Sequence, residues 1–512
     1  MSSAHSKFIN FVCSLILLCV LLLFRPVESG SIVKYLPGFS GPLPFKLETG
    51  YVSVGETELF YLFVESQGKP LQDPLMVYLI GGPGCSALNG FLFQTGPLHF
   101  NLTDYEGGLP TLELYPYAWT KTANIIYLDL PVGTGYSYSN SSEEYSASDL
   151  LSANQTYLFM RKWLDDHPKF KTNRFFITTD SYSGVIAPII AQEILNGNEA
   201  GLKPRISLVG IISGSPHTNS MLEDNAKIPQ AYRLALLSDG LYKSAKKSCN
   251  GDYIDVDSSN VECLEDLKVI SECLDLINDE MVLAPNCATL SPTPNDGLLL
   301  PSSRARDYWC KNFGYLLSDI WANNESVQRA LHVREGTIKR WYRCNVNLQD
   351  NIYTYDVSSS IDYHRNLTST GLQLLLYTAD HDLVVPHIST EYWISTLNLT
   401  VDEDWRPWFV DGQIAGFTLK YTNYGYRLTY ATVKGSGHSP TEWMGKQAHE
   451  MFESADHDLV VPHISTEYWI STLNLTVDED WRPWFVDGQI AGFTLKYTNY
   501  GYRLTYVTVK VR

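Results

Sequence analysis

Three separated segments carry side chains that could together perform nucleophilic acyl chemistry. In the first, Phe175-Phe176-Ile177-Thr178-Thr179-Asp180-Ser181-Tyr182-Ser183-Gly184, an apolar run passes straight into a helical pattern starting at Val185. A serine on so sharp a turn projects its hydroxyl above a sheet, and the next N–H, that of Tyr182, faces the same space. Taken alone, a serine between a strand and a helix is more often a helix cap. Its hydroxyl needs a base, and the base needs an orienting carboxylate. Asp382 follows the apolar run 372–377 in Ala379-Asp380-His381-Asp382, and His438 follows 430–434 in Gly435-Ser436-Gly437-His438. The chain has 12 histidines, most of which should be structural. The flexible glycines, and the place after the last strand of the run, single out His438. A fourth segment, Gly81-Gly82-Pro83-Gly84-Cys85, follows the run 75–80. Its glycines could bring backbone N–H groups close to an oxyanion, though alone it reads as a tight turn.

The elements that must position these groups alternate. Short β-branched and apolar runs at 75–80, 124–130, 174–178, 206–212 and 372–377 predict buried strands. Helical patterns at 147–163 and 185–195 lie between them. Alternation of this kind predicts an α/β fold with a mostly parallel sheet covered on both faces. The order Ser…Asp…His, each after a strand, is that of α/β-hydrolases. Between about 216 and 333 the pattern breaks into charged helical segments bearing Cys249, Cys263, Cys273, Cys287 and Cys310. That region is expected to be an inserted cap held by disulfides.

With 512 residues and a formal net charge of −18, nucleic acid and anionic membranes are excluded as partners, since both would repel the chain. Residues 11–24 form an apolar run too short for a comfortable membrane span, and small residues follow at 29–31. Residues 1–30 are therefore expected to be a secretory signal peptide, with no membrane association of the mature form. Sequons at Asn101, Asn140, Asn154, Asn324, Asn366, Asn398 and Asn474 fit a glycosylated secretory protein. Cysteines in that compartment should pair with one left over. No paired C-x-x-C spacing suggests a metal, and no cofactor is expected.

Residues 379–430 recur letter for letter as 455–506, and 432–434 as 508–510. Natural repeats diverge and come in longer series, so the second copy, within 455–512, is expected to be surplus. Asp458 duplicates Asp382, but no second His438 follows.

The Gly-Gly-Pro-Gly-Cys turn, Asp180-Ser181-Tyr182-Ser183-Gly184, Asp380-His381-Asp382-Leu383-Val384-Val385-Pro386 and Gly437-His438 resemble the serine carboxypeptidase family over roughly 33–454. The resemblance implies Ser181, Asp382 and His438 as the triad, with the N–H groups of Gly82 and Tyr182 as oxyanion hole. It also implies disulfides Cys85–Cys344, Cys249–Cys263 and Cys287–Cys310, leaving Cys273 spare, and delivery to the vacuole or outside the cell. Peptidases of the family recognise a substrate's free carboxylate with an Asn before the Gly-Gly, a Glu after the Cys and a Glu beside the nucleophile. Here those substrate-binding positions are Ile80, Gln94 and Asp180. Ile80 cannot hydrogen-bond a carboxylate and Gln94 cannot share a proton with one. The segments Leu130-Pro131-Val132-Gly133-Thr134-Gly135-Tyr136-Ser137-Tyr138 and Tyr35-Leu36-Pro37-Gly38-Phe39 are similar to the plant acyltransferase branch. In that branch the implied donor is a 1-O-glucose ester and the acceptor a hydroxyl or amine. A serine carboxypeptidase is the alternative reading. A third, a catalytically impaired homologue, is raised by Thr179 and Ala379, which stand where the family has Gly. A β-branched residue is expected to strain a tight elbow.

Overall fold

Apolar, strand-forming runs that alternate with helices bury both faces of a sheet, and the chain does this over most of its length. The computed structural model describes residues 30–103, 105, 107–141, 146–286, 311–458, 476–486, 489–499 and 502–509. The main sheet has twelve strands. Across it the eleven longer ones run Gly30–Val33, Leu47–Val54, Thr57–Val64, Asn124–Leu128, Leu75–Leu79, Phe175–Asp180, Leu208–Gly214, Gln373–Ala379, Tyr426–Val433, Gln413–Asn423 and Thr400–Val410. The six in the middle, from Asn124–Leu128 to Tyr426–Val433, are mutually parallel. Antiparallel strands flank them on both sides. One face is packed by a cluster around Tyr78, Tyr127, Trp321 and Tyr377, the other by one around Trp163, Ile177, Ile190 and Trp393. Strands buried on both faces explain the unbroken apolar runs read from the sequence.

The predicted helix at 147–163 is Asp149–Asp166, where Ser148 caps the first turn by accepting from Leu151 N at 3.2 Å. The helix predicted at 185–195 is Ala187–Glu199, displaced by a 3₁₀ turn over Ser181–Gly184. The chain needs that tighter turn to leave the strand at the serine.

A third, smaller cluster gathers Ile228, Ala231, Leu237, Ala245, Tyr253 and Ile270 around Cys249 and Cys263. Those cysteines form a disulfide across 14 residues, between the helices Asp239–Ser248 and Val261–Leu274. This is the inserted helical cap. The helix Asn312–Ala322, although within the stretch read as cap, buries Leu316, Leu317 and Trp321 in the main core instead. The repeated tail folds as its own antiparallel sheet of Thr476–Val486, Gln489–Asn499 and Tyr502–Val509. Among the described residues no helix is long and apolar enough to cross a membrane, and no cluster of three or more His, Cys, Asp or Glu is placed to hold a metal. Residues 1–29 of the expected signal peptide lie outside the described residues.

Candidate active site

The strand Phe175–Asp180 ends at Ser181, whose φ of +62° lies in the left-handed region. A non-glycine residue held there stores about 1–3 kcal/mol and needs support from its surroundings. Ser183 supplies it. Its Oγ donates to Leu79 O at 2.8 Å on the neighbouring strand and accepts from Asp180 N at 3.1 Å. The next residue, Gly184, leaves no room for a side chain, since a Cβ would come within 2.7 Å of Pro216 Cβ.

Three segments distant in sequence converge on the serine. Oγ of Ser181 lies 2.7 Å from His438 Nε2, and His438 Nδ1 lies 2.8 Å from Asp382 Oδ2. The other Asp382 oxygen accepts from Val384 N at 2.7 Å and Val385 N at 3.1 Å. The carboxylate is fully buried and so has one orientation. Asp380, in the same motif, accepts from Gly435 N at 2.8 Å and Ser436 N at 3.1 Å, so it ties the acid loop to the base loop. Burial disfavours the charged imidazole of His438, but the Asp382 carboxylate outweighs it. With Asp180 and Glu280 adding, the imidazolium pKa is pushed up to about 9.

The glycine turn sits beside the serine. A Cβ on Gly81 would stand 2.4 Å from Tyr182 N and 2.8 Å from Ser181 Cβ, so only glycine permits this approach. Gly82 has φ +113°, and a Cβ there would meet Cys85 Sγ at 2.9 Å. The turn is pinned from across the cleft by the Cys85–Cys344 disulfide, by Gln349 Nε2 donating to Pro83 O at 2.6 Å and by Asn345 N donating to Gly84 O at 3.0 Å.

Ser181, His438, Gly82, Ile80, Gln94 and Asp180 all face one cavity of about 460 Å³. Gln94 Nε2 donates to Asp180 Oδ2 at 3.1 Å and its Oε1 accepts from Tyr78 OH at 2.8 Å. Ser439, next to the base, donates to the same Asp180 oxygen at 2.7 Å. Burial pushes the Asp180 carboxyl up to about 6, against the pull of His438 and these two donors. Arg343 also lines the cavity, its guanidinium 4.0 Å from the ring centre of Tyr315.

The expectation that Thr179 strains the elbow is not met. Thr179 is an ordinary strand residue, registered between Leu79 and Ser213, and the left-handed conformation begins only at Ser181. Its hydroxyl lies 2.6 Å from Ser213 Oγ. Ala379 likewise ends a strand, opposite Val433. Of the disulfides, Cys85–Cys344 and Cys249–Cys263 are formed and Cys273 is unpaired and exposed; Cys287 and Cys310 lie outside the described residues. Asn140, Asn154, Asn366 and Asn398 are exposed and Asn101 and Asn324 partly so, whereas Asn474 is outside the described residues.

A family model described as serine carboxypeptidase matches residues 37–455 and again 453–511. The chain belongs to the serine carboxypeptidase family. Its relatives in the family include serine carboxypeptidase-like 16 of Arabidopsis thaliana, 46% identical across 83% of this chain and 93% of that protein. Serine carboxypeptidase-like 12 of the same plant is 43% identical across 87% and 99%. Among solved structures, the prohormone-processing carboxypeptidase Kex1(Δ)p of Saccharomyces cerevisiae superposes with a TM-score of 0.64 at 17% identity, covering 88% of this chain and 97% of that one. This likeness shows the α/β-hydrolase fold shared within the serine carboxypeptidases. Sequence reading missed Ser439, Asp380, Ser183 and Arg343 as parts of this family's site here. Ser439 adjoins His438 and Asp380 lies in a quoted motif, so adjacency to the triad was the available signal.

Proposed function

We propose that this enzyme moves an acyl group from a 1-O-glucose ester to an acceptor hydroxyl or amine. The observation that carries this reading is the hydrogen-bonded set of Gln94, Asp180 and Ser439 beside the apolar Ile80. A free C-terminal carboxylate would need donors there, or a carboxylic acid willing to share its proton. Gln94 instead donates to Asp180 and accepts from Tyr78. Above about pH 6 the buried Asp180 is ionised and repels a second carboxylate. A neutral sugar ester meets no such repulsion.

In this reading Ser181 Oγ attacks the ester carbonyl while its proton passes to His438 Nε2. The tetrahedral oxyanion is held by the N–H groups of Gly82 and Tyr182. Collapse breaks the bond to the glucose C1 oxygen, which takes the proton from His438, leaving an acyl ester on Ser181. The acceptor then attacks the acyl carbon as its proton passes to His438 Nε2; collapse breaks the bond to Ser181 Oγ, which takes that proton back, and the acylated acceptor leaves. Asp382 keeps Nδ1 protonated and stabilises the imidazolium. Secretion with loss of residues 1–30, delivery to the vacuole or cell exterior, and glycosylation at the exposed sequons complete the proposal.

Incubation with an acyl-glucose and mixed acceptor alcohols and amines should give a new ester or amide, with glucose release that depends on the acceptor. Glucose release indifferent to the acceptor would count against transfer. A second reading, serine carboxypeptidase, is favoured by Arg343, whose positive charge at the cavity wall could receive a carboxylate. It expects release of the C-terminal residue from a blocked dipeptide, lost in Ser181→Ala and weakened in Arg343→Ala.

A further inference from the structure

The cap touches the triad through its backbone at one short turn. Leu383 N donates to Asp279 O at 2.9 Å, His438 N to Glu280 O at 2.6 Å, and Val282 N to His381 O at 3.1 Å. Three cap residues, Asp279, Glu280 and Val282, thus bond to the two loops that carry the acid and the base. The approach is close. A Cβ on Gly437 would stand 2.4 Å from Glu280 O and 2.7 Å from Met281 Cβ, so Gly437 is the residue that lets the turn reach His438. Asn278 shapes the turn, because its Oδ1 accepts from Glu280 N at 3.1 Å and from Met281 N at 3.2 Å. Such a side-chain turn fixes where the Asp279 and Glu280 carbonyls point.

We propose that residues 278–282 are a strap by which the inserted cap sets the distance between Asp382 and His438, with Asn278 as its positioning residue. The two loops also bond directly, His381 N donating to Ser436 O at 3.0 Å. Asp380 bridges them on one side, through Gly435 and Ser436, and the strap bridges them on the other. The inference rests on the Ser181–His438–Asp382 reading but not on the identity of the acyl acceptor.

The test measures the rate at which a fluorophosphonate labels Ser181, against pH, in the full chain. Asn278→Ala removes the Oδ1 acceptor, and Asn278→Asp restores it. Asp257→Ala is the matched control, since it removes a similar cap turn, Asp257 Oδ1 with Ser259 N and Oγ, that has no bond to the triad. The strap predicts labelling slowed about tenfold in Asn278→Ala, equivalent to about 1.4 kcal/mol, and close to wild type in the other two. It also predicts a midpoint moved to lower pH in Asn278→Ala. His438 is faced by Asp382, Asp180 and Glu280, and a looser Asp382 contact removes the strongest support of its charged form. Unchanged labelling in Asn278→Ala overturns the strap. So does slowing in all three variants in proportion to lowered unfolding temperature, which would mean general cap stability. Failure of the wild type to label overturns the triad reading itself, and is told apart by that fact. If Asn278→Ala does not fold, hydrogen exchange of the wild type decides: the Leu383 and His438 amides should open together, and independent exchange refutes the strap.

Discussion

Replacing Thr179 by glycine restores the residue the family resemblance calls for, and the structure predicts that it harms the protein. Thr179 is fully buried, in register with Leu79 on one side and Ser213 on the other. Its hydroxyl shares a 2.6 Å hydrogen bond with Ser213 Oγ. Loss of that bond costs about 0.5–1.5 kcal/mol and leaves a buried Ser213 hydroxyl seeking a partner. Loss of the methyl group removes roughly 0.8 kcal/mol of burial. Glycine inside a strand costs a further 0.5–1 kcal/mol or so in chain entropy. No relief of strain offsets these losses, because the left-handed conformation is at Ser181 and not at Thr179. The total is about 2–3 kcal/mol. Thermal unfolding at one scan rate, read beside fluorophosphonate labelling of Ser181, measures it. Thr179→Gly should unfold earlier and label no faster than wild type. Thr179→Val should fall between them, keeping the branched shape while losing the bond. A glycine variant that unfolds later and labels faster would refute this reasoning and restore the strained-elbow reading.

Labelling of Ser181 requires neutral His438, so its rate should rise with pH and level off only above about 9; Asp382→Asn, which removes the carboxylate that supports the imidazolium, should move that rise to lower pH. The same raised pKa favours the folded state fully below the ordinary imidazole value of 6.5, and that contribution should fade as pH climbs through about 9; His438→Gln should flatten this part of a stability–pH curve. Asp149→Asn should lower kcat more than it changes KM, because the buried Asp149 accepts from Tyr182 OH and Tyr353 OH, both at 2.8 Å, and so anchors the residue whose N–H the proposed mechanism gives to the oxyanion; equal loss in both constants would place Asp149 in substrate binding instead. Deletion of 455–512 should leave labelling and unfolding temperature unchanged, since the cut falls just beyond Phe452, which stacks on Trp119 at 4.2 Å, and the tail forms a sheet of its own; a large loss of either would show that the copy supports the enzyme.

What could be read from the sequence was whatever lies close along the chain. The Ser181 segment carries its strand, turn and helix start close together, and the Asp382 and His438 loops each follow an apolar run, so the convergence of Ser181, Asp382 and His438 was legible before their distances were known. Residues whose meaning depends on a distant partner were not. Thr179 looked like strain because its neighbour Ser213 lies on another strand, 34 residues on. The packing of Asn312–Ala322 depends on distant partners in the same way. Nothing within Asn312–Ala322 says that Leu317 and Trp321 will meet the main core rather than the cap. The strap is less legible still, since Asp279 and Glu280 act through carbonyl groups that every residue possesses.

The duplicated tail separates these two kinds of information within one molecule. The hairpins of the copies keep the same register, Thr400 opposite Thr422 and Thr476 opposite Thr498, because antiparallel neighbours joined by short turns need only each other. The segment Ala-Asp-His-Asp behaves otherwise. At 379–382 it leaves a parallel strand, with Asp380 bound by Gly435 and Ser436 and Asp382 by Val384 and Val385. At 455–458 the same four letters finish the helix Gly445–Asp458. What differs is what precedes them: a buried strand in one case, a helical run ending in Glu453 and Ser454 in the other. Parallel pairing to Gln373–Ala379 cannot be encoded in the repeat itself, because its partner strands come from elsewhere in the chain. The acid of the site is therefore a property of the sheet that delivers it, and copying its residues without that sheet, or without a following His438, copies no site.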